Sequence, residues 1–385
     1  MDGRHLLGAA DVDDAALLTM VARLNGVDAA DLTLLDCVVS EFPYDLESIT
    51  TAGRYLVRGR ASHGDRVLPF SFFVKVIQSF ARSPMFAVVP AELREWAEAS
   101  VPWRTEAHAY RSDLADRLPP GLTMPRAVDV RDLDGSSVAI WLEELRVVPV
   151  VWDARRRERA ARLLGRLAGS PRVAELATLG PEEWTVRDYL HGRLRHVVLP
   201  LLRGEAVWRA PLVAATFDAD LRAGLLRVAD RVEELVEEAM ALPQAAAHGD
   251  ACRNNLLATE GDPDFTLIDF GFWRRGPIGT DLGQLLVGEV QLGREAAVDL
   301  EARDEANVDA YVRGLRDEGC TVPEDSVRRG HALQLVLFTG LTSVPVELLD
   351  REPTPELFAF AAERAALARF CLETLDRTDA LARRG

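Results

Sequence analysis

The 385-residue chain is poor in cysteine, with only Cys37, Cys252, Cys320 and Cys371, and none of the four stands in CxxC spacing. That pattern argues against a disulfide framework or a zinc site and fits a reducing compartment, so the cytoplasm is the expected location. No stretch approaches about 18 uninterrupted apolar residues, and neither a membrane-spanning helix nor a membrane partner is expected. Residues 1–15 carry four aspartates and a single arginine, the reverse of a basic export signal. Positive charge is also scarce: 45 Lys+Arg stand against 61 Asp+Glu, a net charge of −16. Such a field repels polyphosphate chains, so nucleic acid is not an expected partner, and it attracts divalent cations and amines. An acidic surface also simply keeps proteins soluble, so charge alone chooses no substrate. Internal repeats and low-complexity tracts are missing too, while 48% hydrophobic and 28% charged residues are ordinary for a globular enzyme. The length allows two or three domain-sized units.

What is present divides the chain in two. Residues 12–26 read as a short amphipathic helix with aspartates at its start and Gly26 at its end. Strand-like runs follow at 32–39, 53–61 and 68–77, and three such strands in sequence form an antiparallel meander. The segment SEFPYDLESITTA between the first two reads as a turn. Residues 90–118 give one or two helices broken near Pro102, with Trp103, Ala107, Tyr110, Leu114 and Leu118 at helical spacing. LPPGLTMP ends them, and two further strands are expected near 127–130 and 137–142. Beyond about residue 150 long helical patterns take over, at 154–168, 185–202 and near 218–240, and again from Asp281 onward. The expectation is an α+β protein with a small β-rich lobe (1–145), a larger mainly helical lobe (146–385) and a cleft between them.

The chemistry concentrates in AAAHGDACRNNLL (245–257), FTLIDFG (265–271) and GPIGTDLGQLL (276–286). Short apolar runs on either side of the polar loop suggest paired strands that project polar side chains into one place. Phosphoryl transfer asks little covalent work of a protein: a group to orient the attacking hydroxyl, oxygen ligands for Mg²⁺, and a cation on the other phosphates. Asp250 at a loop tip suits the first task, and Asn255 and Asp269 suit the second. Lys75 lies inside the apolar strand FSFFVKVI, where an ammonium is costly to bury unless paired. Glu106 is the best-placed partner, three residues after Trp103 and four before Tyr110. Glu92, Glu95 and Glu98 are alternatives, as is a lysine that reaches outward from an edge strand.

HGDACRNN resembles the HGDxxxxN loop of aminoglycoside phosphotransferases, and LIDFG and the separation from Asp269 to Asp281 resemble their metal-binding segment. The resemblance extends to the choline kinase type of small-molecule kinase and implies a two-lobed protein-kinase-like fold. It implies that Asp250 is the catalytic base, that Asn255 and Asp269 bind Mg²⁺, and that His248 and Asp281 support the loop. Lys75 and Glu106 would then serve the nucleotide, with ATP as phosphoryl donor. Ser48, Thr50 and Thr51 offer hydroxyls and amides to phosphate, or form a solvated turn, since G-x-G-x-x-G is missing there. Backbone groups near Glu144 and Leu145, in WLEEL, would meet adenine, unless the segment is a plain edge strand. Arg253 either neutralises the transferring phosphate as part of the catalytic set or faces solvent. H-R-D and A-P-E segments are absent, which disfavours a protein substrate.

The acceptor implied is a small-molecule hydroxyl on an aminoglycoside, amino sugar or related natural product. A kinase of choline or another metabolite alcohol is the alternative, as is a pseudokinase-like protein that holds nucleotide without turnover. Glu289, Asp299, Glu301 and Glu305 are candidate carboxylates for an amine, or surface charge. The ARRRER run (154–159) reads as a solvated helix face. The aromatic residues of DFGFWRRG either wall the acceptor pocket or pack in the core.

Overall fold

The computed structural model describes residues 2–44, 48–181, 183–261 and 264–382. Residues 45–47, in the turn expected between the first two strands, lie outside that set. The first half of the chain forms β1 (Leu32–Glu41), β2 (Thr51–His63), β3 (Arg66–Gln78), β4 (Leu122–Thr123), β5 (Ala127–Asp134) and β6 (Ser137–Glu143). Five of these make one sheet in the order β1-β2-β3-β6-β5, antiparallel throughout. The expected meander is there, and β3 lies at its centre rather than at an edge.

Strand periodicity sorts β3 between two cores. Phe70, Phe72, Val74 and Val76 pack with Leu17, Met20 and Val21 of the helix Asp14–Asn25, which covers one face of the sheet. Asp13 caps that helix by accepting from the Ala16 amide, and Gly26 ends it in the left-handed conformation. Phe73 and Ile77 point to the other face and join the core of the helical lobe. Strand β6 repeats the division, with Ala139 and Trp141 on the first side and Val138, Ile140 and Leu142 on the second. Lys75 shares its parity with Phe73 and Ile77. The same alternation that buries the strand therefore aims its lysine away from the N-terminal helix and into the space between sheet and helices.

The helical half is built around the pair Ala154–Gly169 and Leu300–Asp317. Their backbones touch at two glycines. A Cβ on Gly165 would stand 2.1 Å from the Tyr311 carbonyl oxygen, and one on Gly314 would stand 1.9 Å from that of Arg162. Two expected helices are broken. The segment 185–202 departs from helical geometry at Gly192 (φ −90°, ψ −115°), where the Trp96 ring packs against the glycine. The segment near 218–240 divides at Arg231 (φ −101°, ψ 5°) into Ala219–Asp230 and Val232–Ala241. The buried stripe Val228, Val232, Leu235 runs unbroken across that break, so hydrophobic spacing could not reveal it. Among the described residues no helix is long and apolar enough to cross a membrane.

Candidate active site

Two small sheets hold the polar loops. Strand β7 (Gln244–Ala247) pairs antiparallel with β10 (Arg274–Pro277), and β8 (Leu256–Leu257) pairs with β9 (Phe265–Leu267), on which β4 lies parallel. The register Leu256↔Leu267 sets Asn255 beside Ile268, whose amide donates to the Asn255 carbonyl at 3.1 Å. Asn255 and Asp269, fourteen positions apart in sequence, are thus brought together by one hairpin. Asp269 itself adopts φ 62°, ψ 65°, the left-handed region that a non-glycine residue occupies at a cost of about 1–3 kcal/mol.

The loop that follows β7 is fixed from below. Asp281, buried at the start of the helix Leu282–Gln291, accepts from the backbone N–H groups of His248 (2.9 Å) and Gly249 (2.8 Å). Its carboxylate makes no side-chain cap of its own helix and spends both oxygens on the loop. Burial pushes its pKa up, against the opposing pull of His248 and the two amides. His248 is fully buried, with Nε2 2.9 Å from the Ile268 carbonyl and Nδ1 3.4 Å from the Asp250 amide. That pattern assigns the proton to Nε2 and ties the Asp250 loop to the Asp269 strand. Gly249, at φ +81°, allows the closest approach: a Cβ there would lie 2.0 Å from the Phe272 carbonyl oxygen.

Asp250 accepts from Asn255 Nδ2 at 3.0 Å, and the same nitrogen donates to the Asp250 carbonyl at 2.9 Å. The asparagine amide nitrogen is therefore committed to Asp250. Burial raises the Asp250 carboxyl above the ordinary range, with Asp269 adding to the rise and His248 and Asn255 opposing it. The neighbouring Cys252 thiol is pushed up to about 12, first by burial and then by Asp250, so it carries no thiolate at neutral pH.

Across the cleft, Lys75 Nζ donates to Glu106 Oε2 at 2.6 Å and to Asp269 Oδ1 at 3.1 Å. The partner is Glu106 among the four glutamates considered, while Glu98 accepts from Ser79. Lys75 is 5% exposed and does not reach outward. It is also the only lysine in the chain, a compositional signal in its own right. Burial would lower its pKa, but Glu106 and Asp269 outweigh that and hold it up. Burial likewise works to raise Asp269, and here Lys75 prevails and keeps the carboxyl below its usual range. Glu106 ends at about 6, raised by burial and by Asp269 despite the lysine.

Arg54 joins this group, although no motif marks it. It lies opposite Lys75 in the β2–β3 register, stacks over Tyr44 at 4.0 Å, and lines the cleft. The two-residue turn Gly64–Asp65 fixes that register. Counting back from the turn would have found Arg54 in the sequence. The cleft, about 180 Å³, is walled by Phe42, Tyr44, Leu56, Phe73, Leu142 and Val147, and Lys75, Glu106, Asn255 and Asp269 stand at one side.

Other expected residues fall elsewhere. Ser48 Oγ donates to Thr51 Oγ1 at 3.0 Å, Thr51 opens β2, and the Thr50 carbonyl accepts from the Gln78 amide at 2.8 Å. None of the three is among the residues that line the cleft. Glu143, Glu144 and Leu145 do line it, but the Glu144 amide is already given to the Ser71 carbonyl at 3.2 Å. The Glu144 carboxylate is taken by Arg58 and the Ser71 hydroxyl. The Glu144 N–H is therefore not available to a ligand in the cleft.

The largest correction concerns Arg253. It neither lines the cleft nor faces solvent, because its guanidinium pairs with Glu295 and lies over Trp152 at 5.4 Å. Glu295 also receives Arg157 and Arg303. The ARRRER run is corrected with it. Arg157 joins this network, and Arg156 and Arg159 bond Asp264, so only part of the face is solvated. Of the acidic candidates, Glu301 pairs with Arg377, Glu305 with Arg328, and Glu289 lies 3.8 Å from Arg294. Phe270 and Trp273 are core residues, while Phe272 is exposed.

A buried lysine–glutamate pair thus reaches one aspartate and faces a second aspartate on a braced loop, within a two-lobed protein-kinase-like fold. Residues 51–317 match the phosphotransferase enzyme family (APH), and the chain belongs to that family. It is accordingly a small-molecule kinase. An aminoglycoside phosphotransferase from Alicyclobacillus acidocaldarius is similar in fold at 15% identity and a TM-score of 0.50, covering 89% of this chain and 98% of that one. The amicoumacin kinase hAmiN, solved with AMP-PNP, Ca²⁺ and Ami, aligns at 15% identity over 95% and 94% of the two chains, with a TM-score of 0.47. A comparison with curated proteins finds no match.

Proposed function

We propose that the chain moves the γ-phosphoryl of ATP, with Mg²⁺, onto a hydroxyl of a small natural-product alcohol, with Asp250 as the base. The observation that carries this reading is the contact of Lys75 with both Glu106 and Asp269 at the side of the cleft that also holds Asn255. Lys75, prepaid in orientation by two carboxylates, is the cation for the nonreacting phosphates, and Arg54 adds a second positive charge beside it. Asp250 has one oxygen held by Asn255 and the other free to accept the proton of an acceptor hydroxyl. Its raised carboxyl makes it a stronger base than an exposed aspartate, provided the pH keeps it ionised.

The donor set suits a hard divalent cation. Asp269 turns 37% of its side chain to the cleft, and Asn255, with its nitrogen on Asp250, keeps an amide oxygen for other use. Magnesium takes one or two protein oxygens and completes its shell from phosphate and water. When bound it would neutralise charge on the β- and γ-phosphates. Aminoglycosides and amino sugars are the acceptors that the family resemblance nominates.

The test is direct. Purified protein is incubated with labelled ATP, Mg²⁺ and a panel of hydroxyl compounds, with and without EDTA. Label on an acceptor that disappears with EDTA and in Asp250→Asn supports the kinase. Tight nucleotide binding with no transfer to any acceptor would instead favour a binding protein.

A further inference from the structure

Next to the Asp250 loop lies a charge for which the phosphate chemistry has no use. Arg274 opens β10 directly opposite Ala247, the residue before His248, and is 4% exposed. Its guanidinium carbon lies 5.0 Å from the Trp184 ring centroid and 5.2 Å from that of Phe338. Phe338 in turn stacks on Tyr189, with centroids 4.1 Å apart and planes within 9°. Nη2 donates to the neutral Oε1 of Gln334 at 3.3 Å, and among the described residues no carboxylate forms an ion pair with it. Asp281, the carboxylate that acts on it from a distance, has both oxygens engaged by His248 and Gly249.

The contrast with Arg329 shows how unusual this is. That guanidinium, also buried, is held by both oxygens of Glu238 at 2.6 Å and by Asp379 at 2.7 Å. Among the described residues Arg274 has no such ion-paired counter-charge. Burial lowers its pKa to about 10, which still leaves it charged at neutral pH. An unpaired buried cation is costly, and aromatic faces offset only part of that cost. The missing part is what an anion would supply.

The aromatic frame is also only partly covered. Trp184, Tyr189 and Phe338 are each half-buried. Trp184 reaches Phe272 at 6.3 Å, and the Phe272 carbonyl lies against Gly249, so the frame borders the loop that carries Asp250. We infer that Arg274 anchors the acceptor, and that the acceptor is a hydroxyl compound bearing a carboxylate or similar anion next to a flat apolar part. This rests on the kinase reading and, within its natural-product alcohols, selects against the amine-rich acceptors that the family resemblance nominates, because a polyamine would be repelled at this wall.

Calorimetric titration of the full chain with matched hydroxyl compounds tests it, using 3-phenyllactate against phenylalaninol and glucuronate against glucosamine. AMP-PNP with Mg²⁺ is titrated separately, so that loss of nucleotide binding reports on the kinase reading alone. The anionic member of each pair is expected to bind at least tenfold more tightly. Gln334→Glu gives Arg274 an internal carboxylate, and should abolish that preference while AMP-PNP affinity and the circular dichroism spectrum stay unchanged. Arg274→Gln should abolish it as well. Equal or tighter binding of the amines, or a preference that survives Gln334→Glu, overturns the inference. In that case Arg274 would be a packing residue, which Gln334→Glu would simply stabilise.

Discussion

Replacing Lys75 by methionine tests the centre of the site, because the structure gives the loss both a size and a pH dependence. Lys75 is the cation shared by Glu106 and Asp269, and its removal leaves two carboxylates facing each other. Breaking a buried pair by deleting one partner costs about 3–5 kcal/mol. Asp269 can recover part of this from water, since 37% of its side chain is exposed, whereas Glu106 is 3% exposed and cannot. The remaining penalty therefore falls on Glu106. In the native protein its carboxyl already stands at about 6 against an ordinary 4.5. A carboxyl raised in the folded state stabilises the fold below its unfolded value and loses that contribution as pH rises through the folded value. The native protein thus loses about 2 kcal/mol from this group between pH 4.5 and about 6. Without the lysine the folded value climbs further, and the loss continues through neutral pH. Urea unfolding should show Lys75→Met less stable than the native chain by about 3 kcal/mol at pH 8, and by about 1 kcal/mol or less at pH 5. Adding Glu106→Gln should restore stability at pH 8 but not turnover, because the phosphate cation is still missing. A deficit of the same size at both pH values would refute the argument.

Asp250→Asn should lower turnover by a factor of about 10²–10⁴ and leave AMP-PNP affinity within about twofold, measured by calorimetry. The native turnover should rise with pH through a midpoint above the ordinary carboxylate range, because burial and Asp269 raise Asp250 and only its ionised form accepts a proton; a kcat profile with its acid limb below about pH 4 would contradict this. Asp281→Ala strips one buried and one half-buried amide of their acceptor and should cost about 2–4 kcal/mol in unfolding experiments, with turnover falling more than nucleotide affinity. Gly249→Ala, strained at φ +81° and blocked by the Phe272 carbonyl, should lower turnover at least tenfold while nucleotide affinity holds.

Much of the site is legible in sequence because its parts are local. HGDACRNN fills the loop between β7 and β8 and LIDFG leaves the end of β9, so a hairpin register of a few residues suffices to bring Asp250, Asn255 and Asp269 together. Lys75 is legible for an energetic reason: an ammonium inside FSFFVKVI requires a carboxylate, and helix spacing selects Glu106. Arg253 misled because the same loop has two sides. Whether its guanidinium met phosphate or Glu295 depended on where the helices 154–169 and 300–317 set Arg157 and Arg303.

The sequence by itself determined the elements and the chemical kit, since strand parity, loop glycines and the cost of an unpaired charge act over a few residues. Only the tertiary structure decided which charges remain free. Glu301 and Glu305 were claimed by arginines from distant helices, while Arg274 was enclosed by Trp184 and Phe338 with no ion pair to a carboxylate among the described residues. Such pairings join residues tens to hundreds of positions apart. They depend on how whole helices pack, which no local pattern encodes.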